Sequence, residues 1–127
     1  MIKIAVCSKD FKRVSGHAGK AKNWLLFDIP ESGDWQLSEI SLTKSQVFHY
    51  FKDDEPHPLD GISSLIAISA GESFIRRMQT GGVDAVMTAE EDPRKAVQNY
   101  LAKQLSPPKP RPIGELFCKL RDAFSEH

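Results

Sequence analysis

The stretch from Ser64 to Met87 constrains the fold of this chain more than any other. Ser64-Leu65-Ile66-Ala67-Ile68-Ser69 is an apolar run of buried-strand length, and Ala70-Gly71 opens a segment with Phe74, Ile75 and Met78 on one helical face. Gly81-Gly82 ends that segment, and Val83 to Met87 is the next strand. A strand, a helix and a strand in immediate succession make the two strands parallel, joined by a right-handed crossover. A second helix follows. Asp92 can cap its free N–H groups, Pro93 suits its first position, and Ala96, Val97, Tyr100 and Leu101 form its apolar stripe.

The first half reads differently. Ile2 to Cys7 is short and β-branched, Trp24 to Ile29 stops at Pro30, and Trp35 to Leu42 follows the Glu31-Ser32-Gly33-Asp34 turn. The short connection from Pro30 to Asp34 implies an antiparallel hairpin. In the third strand the apolar residues change parity, from Trp35 and Leu37 to Ile40 and Leu42, so a bulge or twist is expected between them. Residues 43–63 combine Val47-Phe48-His49-Tyr50-Phe51 with an acidic, proline-broken run, Asp53 to Pro58, and read as a loop with a helical turn at each end. Three antiparallel strands followed by strand, helix, strand and helix give an α/β fold. Its mixed five-stranded sheet carries helices on its faces, in the order of a ribonuclease H-like domain.

The chain has 127 residues, one domain's worth, enough to bury roughly two thirds of its unfolded surface. Residues 1–104 are read as that domain. Residues 105–112, with Pro107, Pro108, Pro110 and Pro112, are read as a semi-rigid linker. Residues 113–127 carry Ile113, Leu116, Phe117, Leu120 and Phe124 at helical spacing. Such a helix either folds back on its own domain or docks a partner. Seventeen basic and seventeen acidic residues cancel, so no whole-chain field draws the protein to nucleic acid or anionic lipid. No apolar run approaches the ~20 residues that cross a bilayer. The N-terminus enters a strand at once, without a leader pattern, which points to the cytoplasm. There thiols stay reduced, so a structural disulfide between Cys7 and Cys118 is not expected.

Local charge is another matter. Between Lys9 and Lys22 the chain places Lys9, Lys12, Arg13, Lys20 and Lys22 against the single acid Asp10, a formal +4. Gly16 and Gly19 flank His17, which lets the backbone turn sharply and leaves the imidazole approachable. If this loop lies beyond the carboxyl end of the first strand, Cys7 and His17 face the crevice where open α/β sheets bind ligands. A thiolate and an imidazole suit a transition metal, and lysines with backbone amides favour an anion. Two protein ligands are too few for a closed zinc or self-contained cluster site. They suit a preassembled, anionic cluster that is later released. Each residue also has a plain reading, Cys7 as a small hydrophobe and His17 as a solvated surface residue. His49 reads as packed between aromatic neighbours and His57 as exposed between prolines, with either able to supply a third ligand.

Cys7-Ser8-Lys9-Asp10, then Gly16-His17-Ala18-Gly19-Lys20 and the aromatic strand Trp24 to Ile29, resemble the dinitrogenase iron–molybdenum cofactor-binding family, which includes the NifX and NafY carriers and the C-terminal domain of NifB. Ile68-Ser69-Ala70-Gly71, Gly81 to Val86 and the closing helix through Ala96, Val97 and Tyr100 continue the likeness over residues 1–104. The chain departs from the pattern at Phe11, where a turn glycine is common, and at Glu72-Ser73, where a second glycine and a proline are common. The resemblance implies a ribonuclease H-like fold and a non-catalytic carrier for an iron–sulfur-based cofactor, the iron–molybdenum cofactor or its precursor, bound transiently. It implies His17 as metal ligand, with Cys7 as a second that only some members have. Lys20, Lys22 and Arg13, with Lys9 and Lys12, would give electrostatic support. The implied partners are cofactor-biosynthesis or nitrogenase-type proteins that donate or receive the cluster. Rival readings are an interaction module that keeps the fold without a ligand, a zinc protein using Cys7, His17 and His49 or His57, and a nuclease of the same fold built around Asp10. The nuclease would need converging carboxylates.

Overall fold

A computed structural model describes residues 2–52 and 55–103. Its elements are β1 (Ile2–Cys7), β2 (Asn23–Ile29), β3 (Gln36–Ser41), β4 (Ser64–Ala67), α1 (Glu72–Thr80), β5 (Asp84–Met87) and α2 (Pro93–Leu101), with short 3₁₀ turns at Ala18–Lys20 and Lys44–Gln46. The sheet order is β3-β2-β1-β4-β5. β1 pairs antiparallel with β2 and parallel with β4, β2 and β3 form the antiparallel hairpin, and β4 and β5 run parallel. The expected mixed five-stranded α/β sheet is therefore present. The linker expected over 105–112, the helix expected over 113–127, and Cys118 lie outside the described residues.

β1 is central and covered on both faces, which is why Ile4-Ala5-Val6-Cys7 is an unbroken apolar run, all four residues fully buried. Alternation sends Ala5 and Cys7 to one face, with Trp24, Leu65 and Ala67, where Phe74 and Met78 of α1 and Val47, Phe48, Leu59 and Ile62 of the long loop cover them. Ile4 and Val6 go to the other face, with Leu25, Phe27 and Ile66, under Val14 and under Ala96 and Val97 of α2. The two helices thus cover opposite faces of one sheet. Trp24 is fully buried, its ring edge-on to Phe48 at 5.8 Å and its Nε1–H donating to the Ala21 carbonyl at 3.3 Å. α2 starts as its residues dictate, with Pro93 in its first turn and the Asp92 carboxylate accepting the Lys95 N–H at 3.2 Å.

The bulge expected in the third strand is absent. β3 pairs with β2 without interruption from Asn23↔Ser41 to Asp28↔Gln36. Each parity supplies a core contact: Trp35 packs edge-on to Phe27 at 6.0 Å on one side, and Ile40 packs against the core on the other, while the rest of β3 is exposed. Leu37 has no cover and is 48% exposed. Within the expected loop, the described residues 43–52 and 55–63 show a turn at Lys44–Gln46 and another at His57–Asp60 closed by Asp60 N–H donating to the His57 carbonyl at 3.0 Å.

Candidate functional site: a basic pocket at the carboxyl ends of β1 and β4

The chain leaving β1 is folded by its own short polar side chains. The buried Ser8 hydroxyl donates to the Arg13 carbonyl at 2.6 Å, and the Asp10 carboxylate accepts the N–H groups of Lys12 and Arg13 at 2.9 and 3.0 Å. Those two N–H bonds hold the exposed Asp10 carboxyl below its ordinary range. Phe11, where the family pattern favours glycine, keeps a left-handed backbone at φ 61. The segment then returns to β1, Ser15 N–H donating to the Cys7 carbonyl at 2.7 Å, while Val14 N–H reaches the Glu91 carbonyl at 2.8 Å.

Next the loop crosses to β4. Ile68 N–H donates to the Ser15 carbonyl at 2.9 Å and Ala18 N–H to the Ser69 carbonyl at 3.2 Å. Between them His17 N–H donates to Ser69 Oγ at 2.9 Å. These contacts set the loop at the carboxyl ends of the two central parallel strands, where open α/β sheets leave room for a ligand. The sharp turn does not fall on a glycine, as the sequence had implied. His17 itself is left-handed, at φ 58 and ψ 50. Gly16 is favoured for a different reason: a Cβ there would lie 2.4 Å from Ser69 Oγ, so the Ser69 side chain would have to shift.

The loop walls a pocket of about 330 Å³ lined by Lys9, Ser15, Gly16, His17, Lys20, Ala21, Lys22 and Asn23. Every charged group of this lining is basic, and His17, Lys9, Lys20 and Lys22 are exposed. Asn23 braces the rim, its side-chain amide donating to the Lys9 carbonyl at 2.9 Å and accepting from the Ser41 hydroxyl at 3.0 Å. An approachable imidazole among three ammonium groups can take an anion, or a metal centre of net negative charge.

The other candidates stand apart from this pocket. Cys7 is fully buried behind its wall, with Sγ 3.6 Å from Ser15 Oγ and its thiol donating to the Gly16 carbonyl at 3.5 Å. Burial pushes that thiol up to about 11, against a smaller opposing effect of the Ser15 hydroxyl, so it is protonated near neutrality. Arg13 and Lys12 are exposed on the outer turn and do not line the pocket. The two other candidate histidines differ in exposure from what the sequence implied. His49 is exposed, its ring edge-on to its expected aromatic neighbour Tyr50 at 4.8 Å and its N–H donating to the Gly19 carbonyl at 2.7 Å. His57 is buried, stacked on Phe48 at 4.8 Å, with Nδ1 accepting the Leu59 N–H at 3.0 Å and Nε2 2.7 Å from the Gln46 carbonyl. Both of its ring nitrogens are thus used in closing the loop. Among the described residues no group of three or more His, Cys, Asp or Glu side chains is placed to hold a metal ion.

Sequence reasoning missed Ser69 and Asn23. Ser69 lies 52 residues from its partner His17, and no local pattern marks such a pair.

No curated protein matches the chain by sequence. Solved structures do match its fold. PH0822 superposes with a TM-score of 0.61 at 16% identity, over 83% of this chain and 93% of its own. A candidate dinitrogenase from Methanocaldococcus jannaschii gives 0.63 at 13%, over 83% and 92%. A candidate NifB protein from Thermotoga, TM1290, gives 0.54 at 19%, over 84% and 93%. At these identities the likeness speaks for the fold alone. The sequence match is to the family model described as dinitrogenase iron-molybdenum cofactor, over residues 1–103, and on that match the chain belongs to this family.

Proposed function

We propose that the protein is a non-catalytic carrier that holds an iron–sulfur-based cofactor, the iron–molybdenum cofactor or a precursor of it, and releases it to a partner of the nitrogenase or cofactor-assembly type. The observation that carries this reading is the lining of the pocket: one exposed imidazole and three lysines, with no carboxylate among them. Clusters of this class are anionic, bind imidazole at iron or heterometal, and are repelled by acidic surroundings. Membership of the family supports the same ligand class. The sheet order and the antiparallel β2 support the ribonuclease H-like reading of the fold.

In this account His17 is the protein ligand, and Lys9, Lys20 and Lys22 neutralise the cargo. Arg13 and Lys12 lie farther out and contribute only a screened, long-range attraction. Cys7 stays behind the wall; for it to bind metal, the Ser15-Gly16 segment must move and the thiol must lose its proton. One ligand with electrostatic help gives an affinity low enough for transfer to a site with more ligands. Anaerobic titration with a synthetic thiolate-ligated [4Fe–4S] cluster tests the reading. The wild type binds, His17→Ala weakens binding at least tenfold, and the Lys20→Ala/Lys22→Ala variant weakens it more at low salt than at high salt. Equal binding by all three proteins rejects it.

A further inference from the structure

Ser69, just beyond the end of β4, holds the histidine of the pocket. We infer that its hydroxyl is a positioning group, fixing His17 in the left-handed conformation that turns the imidazole toward the lysines, and that it sets the affinity for the cargo without touching it. This inference rests on the proposed function.

Three observations converge on Ser69. Its Oγ accepts the His17 N–H at 2.9 Å, its carbonyl accepts the Ala18 N–H at 3.2 Å, and its Oγ occupies the space where a side chain on Gly16 would begin, 2.4 Å from the Cβ position. A non-glycine residue at positive φ is unfavourable and persists only where its surroundings impose it. His17 is such a residue, at φ 58, and it lies between the Ile68–Ser15 bond on one side and the Ala18–Ser69 bond on the other. Those two bonds use backbone atoms and survive any change of side chain at position 69. The bond to Oγ is the one that holds the His17 N–H, while the His17 carbonyl accepts the Lys20 N–H at 2.9 Å in the turn that follows. Ser69 does not line the pocket, so it reaches the cargo only through His17.

The experiment uses the full chain as wild type, Ser69→Ala, Ser69→Thr and His17→Ala, with a synthetic thiolate-ligated [4Fe–4S] cluster as the probe under anaerobic conditions. Amide hydrogen exchange on the cluster-free proteins is measured alongside. Ser69→Ala should weaken cluster binding about fivefold, the effect of one net hydrogen bond, and Ser69→Thr, which keeps the hydroxyl, should restore it to within about twofold of wild type. In the cluster-free Ser69→Ala protein the His17 amide should lose protection while Ile68 and Ala18 keep theirs, a local effect that general destabilisation would not produce. If the wild type binds, His17→Ala does not, and Ser69→Ala binds like wild type, the role of Ser69 is overturned and the carrier reading stands. If wild type and His17→Ala bind alike, the reading of the pocket falls, and the role of Ser69 falls with it. Weakened binding in both Ser69 variants, with exchange raised throughout the fold, overturns positioning in favour of a structural role.

Discussion

The buried thiol of Cys7 makes stability depend on alkaline pH in a way that one substitution isolates. In the fold the thiol ionises at about 11, against 9.0 for an unburied cysteine, chiefly because burial penalises the thiolate. Below pH 9 the thiol is neutral in both folded and unfolded chains, and the advantage of the buried neutral form is complete. Above pH 9 the unfolded chain loses the proton first, so folding stability falls by about 1.4 kcal/mol per pH unit until the folded thiol also ionises, about 3 kcal/mol in all. The comparison is between a Cys118→Ser protein and the same protein carrying Cys7→Ala, unfolded in urea at several pH values and followed by the fluorescence of buried Trp24. At pH 7.5 the alanine variant should be less stable by about 1–2 kcal/mol, because a fully buried sulfur has been removed from a packed core. By pH 10.5 the parent alone has lost about 2 kcal/mol through this group, so the gap closes or changes sign. Other groups titrate equally in both proteins and cancel in the difference. A gap that stays constant across this range would show that the thiol ionises in the fold as it does in the unfolded chain, and would refute the reasoning from burial.

Gly16→Ala forces Ser69 Oγ off its bond to His17, at a cost of about 1 kcal/mol, partly offset by the reduced freedom of the unfolded chain. With Ser69→Ala already present, that clash is gone and the same substitution should be neutral or stabilising; strictly additive urea-unfolding energies for the two would refute the contact. His57→Ala removes a buried ring that stacks on Phe48 and meets the Gln46 carbonyl and the Leu59 N–H, and should cost about 2–4 kcal/mol in thermal or urea unfolding. Because His57 lies outside the basic pocket, cluster binding by the folded His57→Ala protein should match wild type, and a loss there would move the site.

Much of the fold was legible because its signals are local. β1, β2, β4 and β5 are short apolar runs bounded by turn residues, and Asp92-Pro93 marks the start of α2 by a capping chemistry that the structure repeats. Where the reading failed, tertiary contacts decided. The parity change over Trp35 to Leu42 looked like a bulge or twist because sequence does not reveal that Trp35 packs on one side of the sheet and Ile40 and Leu42 on the other. His57 is buried although a histidine between prolines looks exposed until Phe48, Phe51 and the Gln46 carbonyl close around it, and His49 meets its neighbour Tyr50 yet stays exposed. For the site, the charge excess and the Gly-His-Ala-Gly turn identified the pocket-lining His17, Lys20 and Lys22. Arg13 and Cys7 were placed there by proximity in sequence. The structure turns the first outward and hides the second behind Ser15 and Gly16.

The central claim is that the imidazole of His17 coordinates the cargo, and nitrogen hyperfine spectroscopy tests it at the atom concerned. Protein grown with ¹⁵N-histidine, loaded anaerobically with a [4Fe–4S] cluster and reduced to a paramagnetic state, should show one strongly coupled ¹⁵N nucleus. That signal should be absent from His17→Ala and retained in His49→Ala and His57→Ala. A coupling that survives in His17→Ala, or a loaded wild type with no coupled histidine nitrogen at all, would contradict the account.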